Sequence, residues 1–242
     1  MNEFVVRIKA FRAVDDIEAC RKYIEGHMRV LNLFGITMIT SAKPEWTNDP
    51  NTYVISVESE DGTKIFGGGR IQMASDNLRL PIETAIADKD PSIHAVIREY
   101  AKRGTGEICG LWSSREMAIC GISSIYIGRA IVAISDQLQL NSLFALCAPA
   151  TVRNCENVGY ERAEFLGDKG IFYYPKDNLI ATAMVINDVH NLPAADPAER
   201  TIIQELRNNP IQQKLESGPR GRILDMRYEL AISEMSPVAC LA

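Results

Sequence analysis

The stretch GEICGLWSSREMAICGISSIYIGRAIVAISDQLQLNSLFALCAPATVRNCENVGY, residues 106–160, decides the fold. It opens on a short apolar run with one acid, Glu107. A loop carrying Arg115, Cys120, Gly121, Ser123 and Ser124 follows. In the next segment Ile127, Ala130, Ile131, Ile134 and Leu138 recur at close to helical spacing. SLFALCAP, 142–149, is an uninterrupted apolar run, as expected of a strand buried on both faces. ATVRNCENVGY then reads as a helix. The predicted order is strand, loop, helix, strand, helix. A strand that hands over to a helix through small residues leaves backbone N–H groups at the helix start, and these suit a phosphate. A capped helix start with no ligand explains the same residues, and local sequence does not choose between the two.

Outward from this unit, FVVRIKAF (4–11) is rich in β-branched residues and predicts a strand. Asp15 and Asp16 open an amphipathic helix with Ile17, Cys20, Tyr23, Ile24, Met28 and Leu31 on one face, ending near Gly35. Residues 37–50 read as irregular. TYVISVES (52–59), the Asp61-Gly62 turn and KIFGGGRIQMAS (64–75) predict a hairpin. Gly67, Gly68 and Gly69 interrupt its second strand, which marks a bulge or a close backbone approach. LRLPIE (78–83) leads into a short helical piece, and Asp90-Pro91-Ser92 starts a helix to about Lys102. AEFLG (163–167) and IFYYP (171–175) are expected to form a strand pair, and LIATAMVIND (179–188) a last strand.

This mixed order with one central crossover predicts a single mixed α/β (α+β) domain over residues 1–189. Residues 190–242 read as an appendage. Asp196 caps a helix with Pro197 at its first position. SGPRGR (217–222) reads as a turn or link. ILDMRYELAIS (223–233) reads as a strand that joins a sheet edge, either in the same chain or in the mate of a homodimer.

Composition narrows the function classes. The chain has 242 residues, 46% hydrophobic and 24% charged, with net charge −5, which suits a globular protein and argues against nucleic acid as the main partner. Six cysteines without a C-x-x-C pair read as buried free thiols of a reducing compartment, the cytoplasm. The start of the chain lacks the pattern of a signal peptide, and no apolar run reaches membrane-spanning length. His27, His94 and His190 are too dispersed for metal-ligand spacing, so no metal is expected. No nucleophile elbow or Walker loop occurs.

Three features are left as candidates for chemistry. Arg115 to Ser124 could cradle a phosphate. Glu107, an acid on an apolar strand, could serve as a general base with a raised pKa, against the alternative of a solvated strand-edge acid. Gly67–Gly69 could admit a ligand and Arg70 hold a carboxylate or phosphate, against the alternative of a twist-inducing bulge.

Taken in order, these features resemble the GCN5-related N-acetyltransferase (GNAT) superfamily over roughly residues 4–188. The segment CAPATVRNCENVGYERAEF (147–165), with Asn154, Glu156, Gly159 and Tyr160, is similar to the family's N-x-x-x-x-G-[FY] helix end. Gly67, Arg70, Ile71 and Glu107 are similar to a subgroup, the acyl-homoserine-lactone synthases and long-chain N-acyl amino acid synthases. The resemblance implies a splayed central sheet and transfer of an acyl group from acyl-CoA, acetyl-CoA or acyl-carrier protein to a small-molecule amine, such as an amino acid. It implies Glu107 as base, Tyr126 or Tyr160 as proton donor to the leaving thiolate, and N–H groups of Leu111, Trp112 and Ser113 polarising the thioester. Arg115, Cys120, Gly121, Ile122, Ser123, Ser124 and Asn154 would hold the pyrophosphate side of the donor, and Arg70 and Trp112 the acceptor. REMAICGISS departs from the family's glycine-rich loop in carrying one glycine. Gly110 stands where the subgroup has arginine, and the subgroup's N-terminal aromatic and arginine cluster for S-adenosylmethionine is not recognisable, which argues against lactone synthesis. The alternative to an enzyme is a module that binds acyl-CoA or another nucleotide without turnover.

Overall fold

A computed structural model describes residues 4–36, 39–217 and 223–232. The chain begins with strand β1 (Phe4–Arg12) and helix α1 (Ile17–Leu33), which Asp16 caps by accepting a hydrogen bond from the Ala19 N–H at 2.9 Å. The predicted hairpin follows as β2 (Thr52–Ser59) and β3 (Ile65–Met73). Helices α2 (Pro81–Ile86) and α3 (Ile93–Ala101) lead to the central strand β4 (Thr105–Ser113). Then come α4 (Arg115–Cys120), α5 (Ile125–Gln137), β5 (Ser142–Cys147) and α6 (Pro149–Asn157). The short strands β6 (Glu161–Arg162) and β7 (Ile171–Tyr173) precede β8 (Ile180–Ile186), and α7 (Pro197–Asn208), β9 (Ile211–Ser217) and β10 (Ile223–Glu229) complete the described chain. No described helix is long and apolar enough to cross a membrane.

All the strands join one mixed sheet in the order β6-β8-β5-β4-β3-β2-β1-β10-β9, with β7 also on β8. Side chains alternate between its faces. Ile55, Ile71, Ile108 and Met184 pack with Ile127, Ile131 and Ile134 of α5 and with α6 and α7. On the opposite face α1 covers one cluster around Tyr23, Trp46 and Trp112, and α2 and α3 cover another around Leu80, Ile82, Ile97 and Phe144.

Several expectations change. Residues 114–124 are not one open loop. Ser114 accepts the Met117 N–H at 3.1 Å, and Gly121 ends the turn at φ 83°, so REMAIC folds as α4. AEFLG is a turn, not a strand. Glu161 and Arg162 pair with β8, as does β7, so the expected strand pair does not exist as such. Ile17 is 53% exposed while His27 is buried in its place on the α1 face, because Cys20, Tyr23, His27 and Leu31 follow the helical repeat. Residues 224–229 pair in parallel with β1 of the same chain. Strand β9 was not expected at all. Of the predicted link SGPRGR, residues 218–222 lie outside those described.

The glycine run serves packing. A Cβ at Gly67 would stand 2.8 Å from the Trp112 carbonyl oxygen, and one at Gly69 would stand 2.9 Å from Ile131 of α5. At Gly68 it would lie 2.4 Å from the Ile55 carbonyl oxygen and 2.9 Å from the Tyr23 ring. The run lets α1, α4 and α5 press on β3, and no ligand is needed to explain it. Because the nearest atom at Gly68 is backbone, Gly68→Ala is expected to destabilise the fold by about 1–3 kcal/mol. The midpoint of urea unfolding will show this.

Candidate functional site

The site begins with an irregularity in β4. Arg70 pairs with Cys109 and Gly68 with Trp112, so Gly69 alone opposes Gly110 and Leu111. This is a β-bulge, and Gly110 absorbs the extra residue at φ 59°. The parallel ladder between β4 and β5 runs from Thr105↔Ser142 to Ile108↔Ala145 and ends there, although β4 continues to Ser113. The strands therefore part beside the bulge. The Tyr23 hydroxyl donates to the Gly110 carbonyl, tying the kink to α1.

Glu107 lies just before the parting, 2% exposed. Its Oε2 accepts the Ile82 N–H at 2.7 Å, at the start of α2. Burial pushes its pKa up to about 8, opposed by that N–H and by Arg70. The solvated strand-edge alternative is thereby excluded.

Arg70 is 1% exposed on the same face. One guanidinium nitrogen donates to the Ser41 carbonyl at 2.7 Å, and the group stacks 4.7 Å from the Trp46 ring. Its Nε has no hydrogen-bond partner, and among the described residues it forms no salt bridge. Arg70 lines an open cleft of about 200 Å³ with Trp46, Gln72, Lys43, Arg79 and Thr84. Trp112 does not reach this cleft. Its ring packs edge-on to Tyr23 and against Gly26, where a Cβ would meet it at 2.2 Å.

At the other end of β4 the anion site contracts. The N–H groups of Gly121 and Ile122 bond back to Ala118 and Met117, closing α4, so they do not point outward as expected. Arg115 is exposed at the start of α4, and Cys120 is half-buried at its end. No hydrogen bond among the described residues engages the N–H of Ser123 or Ser124 at the start of α5. Asn154 of α6 donates to the Ser124 hydroxyl at 2.8 Å, so these two predicted residues do meet.

Tyr160 is 2% exposed, and its hydroxyl has no hydrogen-bond partner. Burial raises its pKa well above the usual phenol range, and the charges of Cys155, Cys147, Glu107 and Cys109 add to the rise. The Cys147 and Cys155 sulfurs are 3.3 Å apart. Burial pushes the Cys109 thiol up to about 12, which fits an inert buried thiol. Tyr126 is not part of this group. It sits on α5 with Arg129 5.1 Å from its ring, near Glu216 and Glu199, because its helical position turns it toward α7 and β9. The sequence reading missed Tyr23, Trp46, Gln72 and Arg79. A phenol on the apolar face of α1 was the available signal for Tyr23.

No family model and no curated protein matches the chain. Solved structures do. FeeM, an N-acyl amino acid synthase from uncultured soil microbes, is similar at TM-score 0.58 and 11% identity, over 81% of this chain and 97% of that one. The AHL synthase LasI is similar at TM-score 0.52 and 11% identity, over 79% and 92%. BjaI, a CoA-dependent acyl-homoserine lactone synthase solved with SAM and isopentyl-CoA, is similar at TM-score 0.51 and 14% identity, over 89% and 95%. The chain has the fold of these acyltransferases, the GNAT-like fold that the sequence resemblance implies.

The raised pKa of Glu107 has a pH signature. The unfolded carboxyl releases its proton near pH 4.5 and the folded one near 8, so this site's contribution to stability is complete below 4.5 and is lost as pH rises through 8. Glu107→Gln keeps the neutral shape and removes the titration. Urea-unfolding free energies are expected to fall more steeply between about pH 5 and 8 in the wild type than in the variant. Equal slopes would mean that folded Glu107 is already ionised at neutral pH.

Proposed function

We propose that the protein is an N-acyltransferase that moves an acyl group from a thioester of coenzyme A, or of acyl-carrier protein, to the amine of a small acceptor. The observation that carries this reading is Glu107, a buried acid at the point where β4 parts from β5. The fold likeness to acyltransferases supports it. The thioester arm would lie between the parting strands. The backbone N–H groups of Ser123 and Ser124, at the positive end of the α5 dipole, would face the pyrophosphate.

In the reaction the acceptor nitrogen attacks the thioester carbonyl carbon, forming the amide C–N bond as the C–S bond breaks. Glu107 takes a proton from the nitrogen, directly or through one water. A carboxylate whose pKa lies near the working pH suits that task. N–H groups of β4 around Leu111 to Ser113, where pairing with β5 has ended, would polarise the carbonyl oxygen. The leaving thiolate takes a proton from Tyr160, whose hydroxyl has no competing partner. Arg70, which lines the cleft and has no salt-bridge partner among the described residues, would hold a carboxylate on the acceptor, which makes an amino acid the preferred class.

A second reading, donor binding without turnover, is favoured by one observation. The N–H groups of Gly121 and Ile122 are spent on closing α4 and leave fewer donors for a pyrophosphate.

Thermal-shift titration with coenzyme A, acetyl-CoA and long-chain acyl-CoA tests donor binding, and thiol release across an amine panel tests turnover. Glu107→Gln is expected to bind donor and lose about 10²–10⁴-fold in kcat. Donor binding with no thiol release from any amine would support the second reading. Arg70→Ala is expected to raise KM for carboxylate-bearing acceptors by roughly 10–100-fold, the worth of a charged hydrogen bond, and to leave simple amines unaffected. An unchanged KM for every acceptor removes Arg70 from that role.

A further inference from the structure

The two edges of the sheet are built differently. At one edge the chain places β6 and β7, two and three residues long, which offer little to an incoming strand. The other edge is β9, seven residues long, which pairs among the described residues with β10 alone. Its side chains divide cleanly. Gln212, Lys214 and Glu216 turn toward α5 and α7. Gln212 donates to the Asn209 carbonyl at 2.7 Å, Lys214 pairs with Glu205 at 2.6 Å, and Glu216 lies 4.0 Å from Arg129. The lysine that would ordinarily guard such an edge is thus tied back to its own helix. Ile211, Gln213 and Leu215 turn to the opposite face, where no helix of the described residues covers this part of the sheet. Ile211 is 71% exposed and Leu215 61%, and Ile223 on β10 beside them is 44% exposed. Gln213 leans inward and donates to both carboxylate oxygens of Asp225 at 2.8 and 2.9 Å.

We infer that β9 is a dimerisation strand, pairing antiparallel with β9 of a second copy of this chain about a two-fold axis through Gln213. The sequence IQQKLES is self-complementary in that register. Ile211 of each copy faces Leu215 of the other, so both exposed apolar residues gain a cross-strand partner. Gln212 faces Lys214, a neutral acceptor against a cation. A two-fold centred on Lys214 would instead set that cation against itself. The contact is isologous and closes on itself, and the far edges of the joined sheet are the short strands β6 and β7, so assembly stops at two copies. Continuous pairing of two such sheets also removes the long open edge that would otherwise template aggregation.

Sedimentation equilibrium of the full chain over a dilution series reads the assembly directly. The expected mass is twice 26.9 kDa at the upper concentrations. Ile211→Lys combined with Leu215→Lys places charges at two exposed positions and is expected to give a monomer that keeps the far-ultraviolet circular dichroism of the wild type. Should that variant misfold, Gln213→Cys decides. Residues facing each other across an antiparallel pair have Cα atoms about 4.5–5.5 Å apart, within reach of a disulfide. Mild oxidation is therefore expected to yield a covalent dimer on a non-reducing gel that the wild type does not give. A monomeric wild type at every concentration, a dimer that survives the double lysine variant, or a Gln213→Cys chain that does not cross-link would each overturn the inference.

Discussion

One surplus residue in β4 governs the geometry around it. Between the pairs Arg70↔Cys109 and Gly68↔Trp112, β3 supplies Gly69 and β4 supplies Gly110 and Leu111. A bulge bends its strand and increases the local twist. Here it follows directly on Ile108↔Ala145, the last pair of the β4–β5 ladder, so β4 leaves β5 where it kinks. Gly110 makes the kink affordable in steric terms, because its φ of 59° is unfavourable for any residue with a Cβ. Such a Cβ would also stand 2.6 Å from an Arg70 guanidinium nitrogen and 3.0 Å from the Tyr23 hydroxyl oxygen. The hydroxyl of Tyr23 holds the Gly110 carbonyl toward α1, and in a trans peptide this turns the Leu111 N–H the opposite way. Helix, bulge and parting strands are one mechanical unit.

The same unit explains two charged residues in a layer that could have been apolar. Arg70 and Glu107 are both almost fully buried, yet they form no salt bridge with each other. Burial of an ion is costly unless partners replace its water. Arg70 meets part of that cost through the Ser41 carbonyl and the Trp46 ring, and its Nε is left bare. Glu107 meets it by retaining its proton up to about pH 8. Well-packed aliphatic residues would stabilise these positions more simply.

Much of this was legible in the sequence, for identifiable reasons. The β2–β3 hairpin followed from alternation and an Asp-Gly turn, and α7 from Asp196 and Pro197, because those signals act over a few residues. Glu107 stood out as an acid in an apolar strand, and Asn154 as part of a helix end. Helix α4 was missed although both of its ends were written in the chain, Ser114 as N-cap and Gly121 as left-handed stop. Six residues show too little periodicity to read as a helix. Strand β9 was missed because IQQKLES carries only two apolar residues. What makes it a strand is β10, which binds β1 from more than two hundred residues away. The glycine run reads in the sequence as either a bulge or room for a ligand, whereas helices on both faces fill that room. The bond from Tyr23 to Gly110, across 87 residues, had no local trace.

Helix α5 shows how the segment after residue 190 bears on the site. Near its start Ser124 is fixed by Asn154. Five residues on, Arg129 makes a bidentate pair with Glu199 of α7 at 2.5 and 2.7 Å and approaches Glu216 of β9. At its end the Gln137 side chain donates to the Leu230 carbonyl at 2.9 Å and accepts the Ile232 N–H at 3.0 Å. These contacts hold α5 at its middle and end from elements late in the chain. A rigid helix transmits such a constraint along its axis, so the position of its first N–H groups relative to the parting of β4 and β5 depends on α7, β9 and β10. The late segment therefore braces the helix that carries the candidate anion site, together with the β2–β4 core on which α5 packs, without contributing a residue to it.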